Sequence, residues 1–97
     1  MASVELADSV FDDFDRIFDH LAQWDIERAP QRIADIRDAL AILESNPLIG
    51  RKAQGGKREL VIGRDSRGYV ALYRYLPRAD VVVVLHIRSQ LEAGFKD

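Results

Sequence analysis

Between Val10 and Trp24 the apolar side chains fall at Val10, Phe14, Ile17, Leu21 and Trp24, at spacings of four, three, four and three. That rhythm is one continuous face of a helix, and Phe11 and Phe18 widen it. Asp8, Asp12, Asp15 and Asp19 repeat on a different face, which predicts an acidic, solvated outer side. Asp8 or Ser9 is placed to cap the first N–H groups of this helix. Ahead of it, Val4 and Leu6 alternate with polar neighbours over residues 3–6, a short strand. After a break across residues 23–29, Pro30 suits the first turn of a second helix, where its missing N–H costs little. Ala29, Ile33, Ile36, Leu40 and Leu43 then recur at four, three, four and three up to Ser45, and Asn46-Pro47 closes the run. Two amphipathic helices with a short connection predict an antiparallel hairpin.

Beyond Pro47 the period changes from helical to alternating, with Gly50, Gly55, Gly56, Gly63 and Gly68 as punctuation. Residues 58–62, 68–76 and 80–88 read as three strands, joined by turns at 65–68 and 77–80. In the last strand Val81, Val83, Leu85 and Ile87 form a purely apolar set expected to lie under the helix pair. Val82, Val84, His86 and Arg88 form the opposite set. Residues 89–96 suit a closing helical turn. The expectation is one α+β domain over residues 1–97, with a helical hairpin on a small, mainly antiparallel sheet in the order β-α-α-β-β-β and a short C-terminal helical turn.

Composition narrows the class. The 97 residues are 47% hydrophobic and 31% charged with no cysteine, which excludes a disordered chain, a disulfide framework and thiolate chemistry. The longest apolar runs, 39–43 and 81–85, are far too short to span a bilayer, and the N-terminus lacks the pattern of a signal peptide. A cytoplasmic protein is expected. The net charge of −2 conceals an asymmetry: residues 1–48 carry four basic and eleven acidic side chains, residues 49–97 ten basic and five acidic. A net of −7 is followed by a net of +5, so one part of the surface suits an anionic partner while the acidic part suits solvation.

Several chemistries lack their residues. The stretch from Gly50 to Lys57 resembles a phosphate-binding loop only superficially, since Gly56 stands where the lysine belongs and no Ser/Thr follows. His20 and His86 have no metal-ligand spacing, the acidic row lacks a calcium-loop pattern, and Ser66 and Ser89 have no nucleophile elbow. No metal or cofactor is expected. What remains is a basic cluster of Arg51, Lys52, Lys57, Arg58, Arg64, Arg67, Arg74, Arg78 and Arg88, interleaved with Tyr69, Tyr73 and Tyr75. Arginine forks and tyrosine faces suit RNA, an acidic protein surface or an acidic peptide. The same residues also suit plainer roles. Tyr73 and Tyr75 can fill a sheet face, His86 can be a hydrogen-bonded sheet position, and Arg74 can pair with Glu59 or Asp80.

The order of elements, together with the segments NPLIGR (46–51), RELVI (58–62), GYVALYRY (68–75) and HIRSQLEAGF (86–95), closely resembles the RelE/ParE superfamily of bacterial type II toxin–antitoxin systems. The resemblance covers essentially the whole chain. It implies a cognate antitoxin whose acidic, hydrophobic segment wraps the toxin, and a link with plasmid stabilization. RelE-type members are ribosome-dependent mRNA endonucleases, whereas ParE-type members poison DNA gyrase without cleaving nucleic acid. In the nuclease branch a catalytic arginine follows the tyrosine of the strand that here begins at Tyr69. In this chain Val70 and Ala71 follow it. Arg88 matches the nuclease branch's final-strand arginine, but the later aromatic is Phe95, which has no hydroxyl for proton transfer. If the chain were a nuclease, its site would rest on His86, Arg58, Arg74 and Arg88, with His86 the one titrating group. That scarcity favours a ParE-like gyrase inhibitor acting by binding, with Arg58, Arg67, Tyr73, Arg74, His86, Arg88, Gln90 and Phe95 as its partner-binding residues and the mRNA endonuclease as the alternative.

Overall fold

In the structure, a computed structural model describing residues 1–63 and 68–90, both helical stripes lie against one face of a five-stranded sheet. The elements run β1 (Ser3–Leu6), α1 (Asp8–Asp25), α2 (Ala29–Leu40), a 3-10 turn (Ala41–Glu44), β2 (Arg51–Lys52), a second 3-10 turn (Gln54–Gly56), β3 (Arg58–Ile62), β4 (Tyr69–Leu76) and β5 (Val81–Ser89). The strand order is β1-β5-β4-β3-β2. β1 runs parallel to β5, with Ser3 opposite Val81 and Leu6 opposite Val84. The other neighbours are antiparallel. The expected α+β hairpin-on-sheet architecture is the one adopted. β2 adds a strand to it: two exposed residues carry no alternation for a sequence reading to detect.

The core forms where the helical and strand patterns meet. Val10, Phe14 and Ile17 of α1, Ile36 and Leu40 of α2 and Leu43 of the following turn pack with Tyr69, Ala71, Tyr73, Val82, Val84 and Ile87. Side chains of this size each stabilise the fold by roughly 1.5–3 kcal/mol when buried. The acidic row Asp8, Asp12, Asp15 and Asp19 is exposed, as its helical phase predicts.

Four local expectations are corrected. Trp24, placed on the core stripe, is 80% exposed, because the last turn of α1 has the hairpin connection for a neighbour instead of the sheet. The cap of α1 is Ala7, without a side-chain hydrogen bond, since Ser9 spends its hydroxyl on β5. The second helix stops being α-helical at Leu40 and tightens into the 3-10 turn through Glu44, which still buries Leu43 completely. In β5 the buried residues are Val82, Val84 and Ile87, not the strictly alternating set from Val81 to Ile87. The cause is a bulge: Leu72 faces His86 while Tyr73 faces Val84, so Leu85 is an extra residue that reverses the alternation.

The β4–β5 turn closes with Asp80 at φ 52°, a left-handed conformation that aspartate tolerates, and its N–H donates to the Pro77 carbonyl. Of the expected turn at 65–68 only Gly68 is among the described residues. The expected closing helical turn lies outside them beyond Gln90, and Ser89 still belongs to β5.

Candidate partner-binding face

The bulge in β5 decides which side chains leave the core. Strand alternation from Val82 and Val84 would carry His86 under the helices, but the extra residue turns His86 and Arg88 to the open side and brings Ile87 inward. Because β1 ends opposite Val84, the outer edge of β5 has no strand beside it beyond that point. Helix α1 takes over. The Ala7 N–H donates to the Val84 carbonyl at 2.9 Å and the Ser9 hydroxyl donates to the Leu85 carbonyl. An Asp13 carboxylate oxygen accepts the Ile87 N–H at 2.8 Å, and Arg16 donates to the Ile87 carbonyl at 3.0 Å. Ser9, Asp13 and Arg16 sit four and three residues apart, one above the other on the helix. The Asp13 oxygen that accepts from Ile87 also lies 3.2 Å from His86 Nδ1, and Arg16 lies 3.4 Å from the other oxygen.

Cross-strand register arranges the open face in rows. Glu59, Leu72 and His86 form one, and Val61, Val70 and Arg88 the next; strands in a sheet stand about 4.8 Å apart and successive rows on one face about 7 Å apart. Arg74 follows on β4, opposite Val83, and donates at 2.8 Å to the Gly55 carbonyl in the turn before β3. Arg51 on β2 faces Glu59 and pairs with it at 2.8 Å. Among the described residues the face thus presents the guanidinium groups of Arg51, Arg74 and Arg88 and the His86 ring against the carboxylate of Glu59. Arg51, Val61, Val70, Arg88 and Gln90 line a shallow hollow of about 280 Å³ on it. Gln90 is anchored by its N–H to the Gly68 carbonyl at 3.0 Å, and a Cβ on Gly68 would strike the Gln90 side chain.

Two of the sequence-predicted site residues lie on the other face. Arg58 stands opposite Tyr73 and donates to the carbonyls of Leu48 (3.1 Å) and Gly50 (2.9 Å), tying down the loop that enters β2. Tyr73 is fully buried, and its hydroxyl accepts the Gly50 N–H at 2.8 Å. That contact is so close that a Cβ on Gly50 would lie 2.7 Å from the Tyr73 ring. The expectation that Tyr73 meets a partner directly is therefore corrected: the ring is core and the hydroxyl is a loop anchor. Arg74, His86, Arg88 and Gln90 do share the open face. Arg67 and Phe95 lie outside the described residues.

Two residues that sequence reading overlooked matter here. In the sequence Arg51 is one of nine cations in the basic cluster, and Asp13 lies one position from the solvated acidic row. Its signal was phase: Ser9, Asp13 and Arg16 repeat at helical spacing between the apolar stripe and the acidic one. Two phenols titrate above their ordinary value. Tyr69 is raised by burial, against the nearby Arg32, which lowers it. Tyr75 is raised by donating its hydroxyl to the Asp80 carboxylate at 2.8 Å. A second hollow, of about 540 Å³, lies at the hairpin tip beside Trp24, Arg28 and Arg32. Among the described residues no group of three or more His, Cys, Asp or Glu is placed to hold a metal ion, and no helix is long and apolar enough to cross a membrane.

Residues 4–94 match the family described as ParE toxin of type II toxin-antitoxin system, parDE. Among solved structures, the chain resembles one from a chromosomal ParDE toxin–antitoxin system of P. aeruginosa, with 25% identity over 92% of this chain and 96% of that one, at a TM-score of 0.78. It shares its fold with a chain of the RelBE2 complex from Mycobacterium tuberculosis (19% identity, 92% and 98% covered, TM-score 0.67). It also shares it with a chain of the intact E. coli RelBE complex (16% identity, 96% and 100% covered, TM-score 0.62). No curated protein matches the chain significantly.

Proposed function

The chain belongs to the ParE toxin family of type II toxin–antitoxin systems, and from that premise we propose that it inhibits DNA gyrase by binding and is neutralised by a cognate antitoxin. The family match over residues 4–94 carries the reading. The open sheet face supports a location for the contact, because Arg51, Arg74, His86 and Arg88 stand together there while the helix pair keeps its acidic row on the far side. Guanidinium forks bind carboxylates with two parallel hydrogen bonds, so acidic side chains of an antitoxin or of gyrase suit this face. Arg58 supports it from behind by fixing the β2 loop. The site of action on this reading is the cytoplasm, where gyrase works on chromosomal and plasmid DNA.

Binding, not catalysis, is also what the side chains favour. Cleavage of RNA requires a base, an acid and cations for the developing phosphorane charge. The open face supplies cations and a single imidazole, and the nuclease branch's arginine position after Tyr69 is occupied by Val70 and Ala71.

A supercoiling assay tests this. Purified protein added to gyrase and relaxed plasmid is expected to block supercoiling and accumulate cleaved plasmid, and adding the antitoxin encoded beside it is expected to reverse both. Gyrase left untouched, together with ribosome-dependent mRNA cuts that His86→Ala abolishes, overturns the reading in favour of an mRNA endonuclease.

A further inference from the structure

The arrangement of α1 against β5 assigns a role to a carboxylate outside the basic face. The outer edge of β5 loses its strand partner where β1 ends, opposite Val84, and the bulge against β4 lies at the same level. The backbone polar groups there are paired by side chains of α1, and Asp13 is the member of that set that also touches the open face, through His86. We propose that Asp13 is the positioning residue of the basic face: it holds the β5 bulge in place and fixes the orientation and tautomer of His86. The proposal deepens the reading that this face meets the partner, and rests on it for its functional arm.

The chemistry follows from what a carboxylate can do. It accepts hydrogen bonds and has no proton to give, so its contact with His86 Nδ1 requires Nδ1 to carry the hydrogen. In the neutral ring the lone pair is then on Nε2. The same oxygen takes the Ile87 N–H, so one group couples the backbone phase of β5 to the state of the ring beside it. Arg16, 3.4 Å from the second oxygen and bonded to the Ile87 carbonyl, holds the carboxylate in that position. Loss of the bulge would return β5 to plain alternation and carry His86 and Arg88 away from Arg74.

NMR of the full chain and the supercoiling assay decide it together. In the wild-type protein the His86 ring is expected to be protonated at Nδ1, and the Ile87 amide to exchange slowly with solvent. Asp13→Ala is expected to lose both signatures and to inhibit gyrase about tenfold more weakly, the equivalent of one charge-assisted hydrogen bond. Asp13→Asn, whose amide oxygen still accepts from both donors while its NH2 gives up the Arg16 contact, is expected to keep them. Asp15→Ala, on the solvated row of the same helix, is expected to match wild type throughout. A wild-type ring protonated only at Nε2, or an Asp13→Ala protein that keeps both signatures, overturns the proposal. So does an Asp13→Ala protein that loses them yet inhibits gyrase at full strength. The wild-type and Asp13→Asn spectra decide the matter if Asp13→Ala does not fold, and they do so whether or not the wild-type protein inhibits gyrase.

Discussion

Arg58 and Arg88 lie on opposite faces of the same sheet and spend the same guanidinium group differently. Under the helices, Arg58 turns to the carbonyls of Leu48 and Gly50, and Tyr73 beside it accepts the Gly50 N–H, so both serve the entry into β2. On the open side, Arg88 stands in the row of Val61 and Val70, one row from His86 and two from Arg74, and shares a hollow with Arg51. A count of basic and aromatic residues treats the two faces alike. Register separates them: Arg58 faces the helix side and anchors the 48–50 loop, whereas Arg88, which donates to the Ser89 carbonyl, lines the shallow hollow on the open side.

Three tests put that contrast under load. The largest effect is expected from Tyr73→Ala on the helix side, which empties a fully buried ring position and orphans the Gly50 N–H. Such truncations cost about 3–5 kcal/mol, read as a shift in urea midpoint, and an unchanged midpoint would move Tyr73 out of the core. Next come paired arginine variants. Arg58→Ala is expected to lower stability by about 1–2 kcal/mol, with antitoxin affinity falling little once the protein is folded. Arg88→Glu is expected to leave stability within about 1 kcal/mol while weakening antitoxin binding tenfold or more, with a reduced dependence on salt. Calorimetry and denaturation on both variants check this, and equal effects on binding would erase the distinction between the faces.

The smallest effect belongs to the phenols. Burial raises the Tyr69 pKa above 10.0 in the folded chain, so there the native state keeps a proton that the unfolded chain releases. The resulting stability is complete below pH 10 and is lost as pH rises through the raised folded value. Urea midpoints at about pH 9 and about pH 11 are expected to differ less in Tyr69→Phe than in wild type.

Much of the fold is written in periodicity. Val10, Phe14 and Ile17, then Ile36, Leu40 and Leu43, occupy the core their spacing assigns, and Asp8, Asp12, Asp15 and Asp19 occupy the solvent. Periodicity fails where a neighbour intervenes. Trp24 keeps the right phase but lies where α1 has passed the sheet, and no residue type announces where a helix outruns its support. Plain alternation puts the valines of β5 on the wrong sides because one inserted residue reverses it, and Ser9, Asp13 and Arg16, which pair the backbone there, are more than seventy residues away. Of the candidate site, Arg74, His86, Arg88 and Gln90 were legible as a cluster. The inward use of Arg58 and Tyr73 depends on a loop, residues 48–50, whose path only the folded chain defines.

The parallel pairing of β1 with β5 has a consequence for how the molecule comes into being. Ser3 meets Val81, so β1 is synthesised well before the strand it pairs with. β5 also lies between β1 and β4, one place in from the edge of the strand order. A nascent chain that has not reached Val81 has no His86, no Arg88 and no seat for β1. Contacts of such long sequence separation slow folding, since the loop-closure entropy is spent before any pairing repays it. By the same topology the basic face is incomplete until β5 has been synthesised.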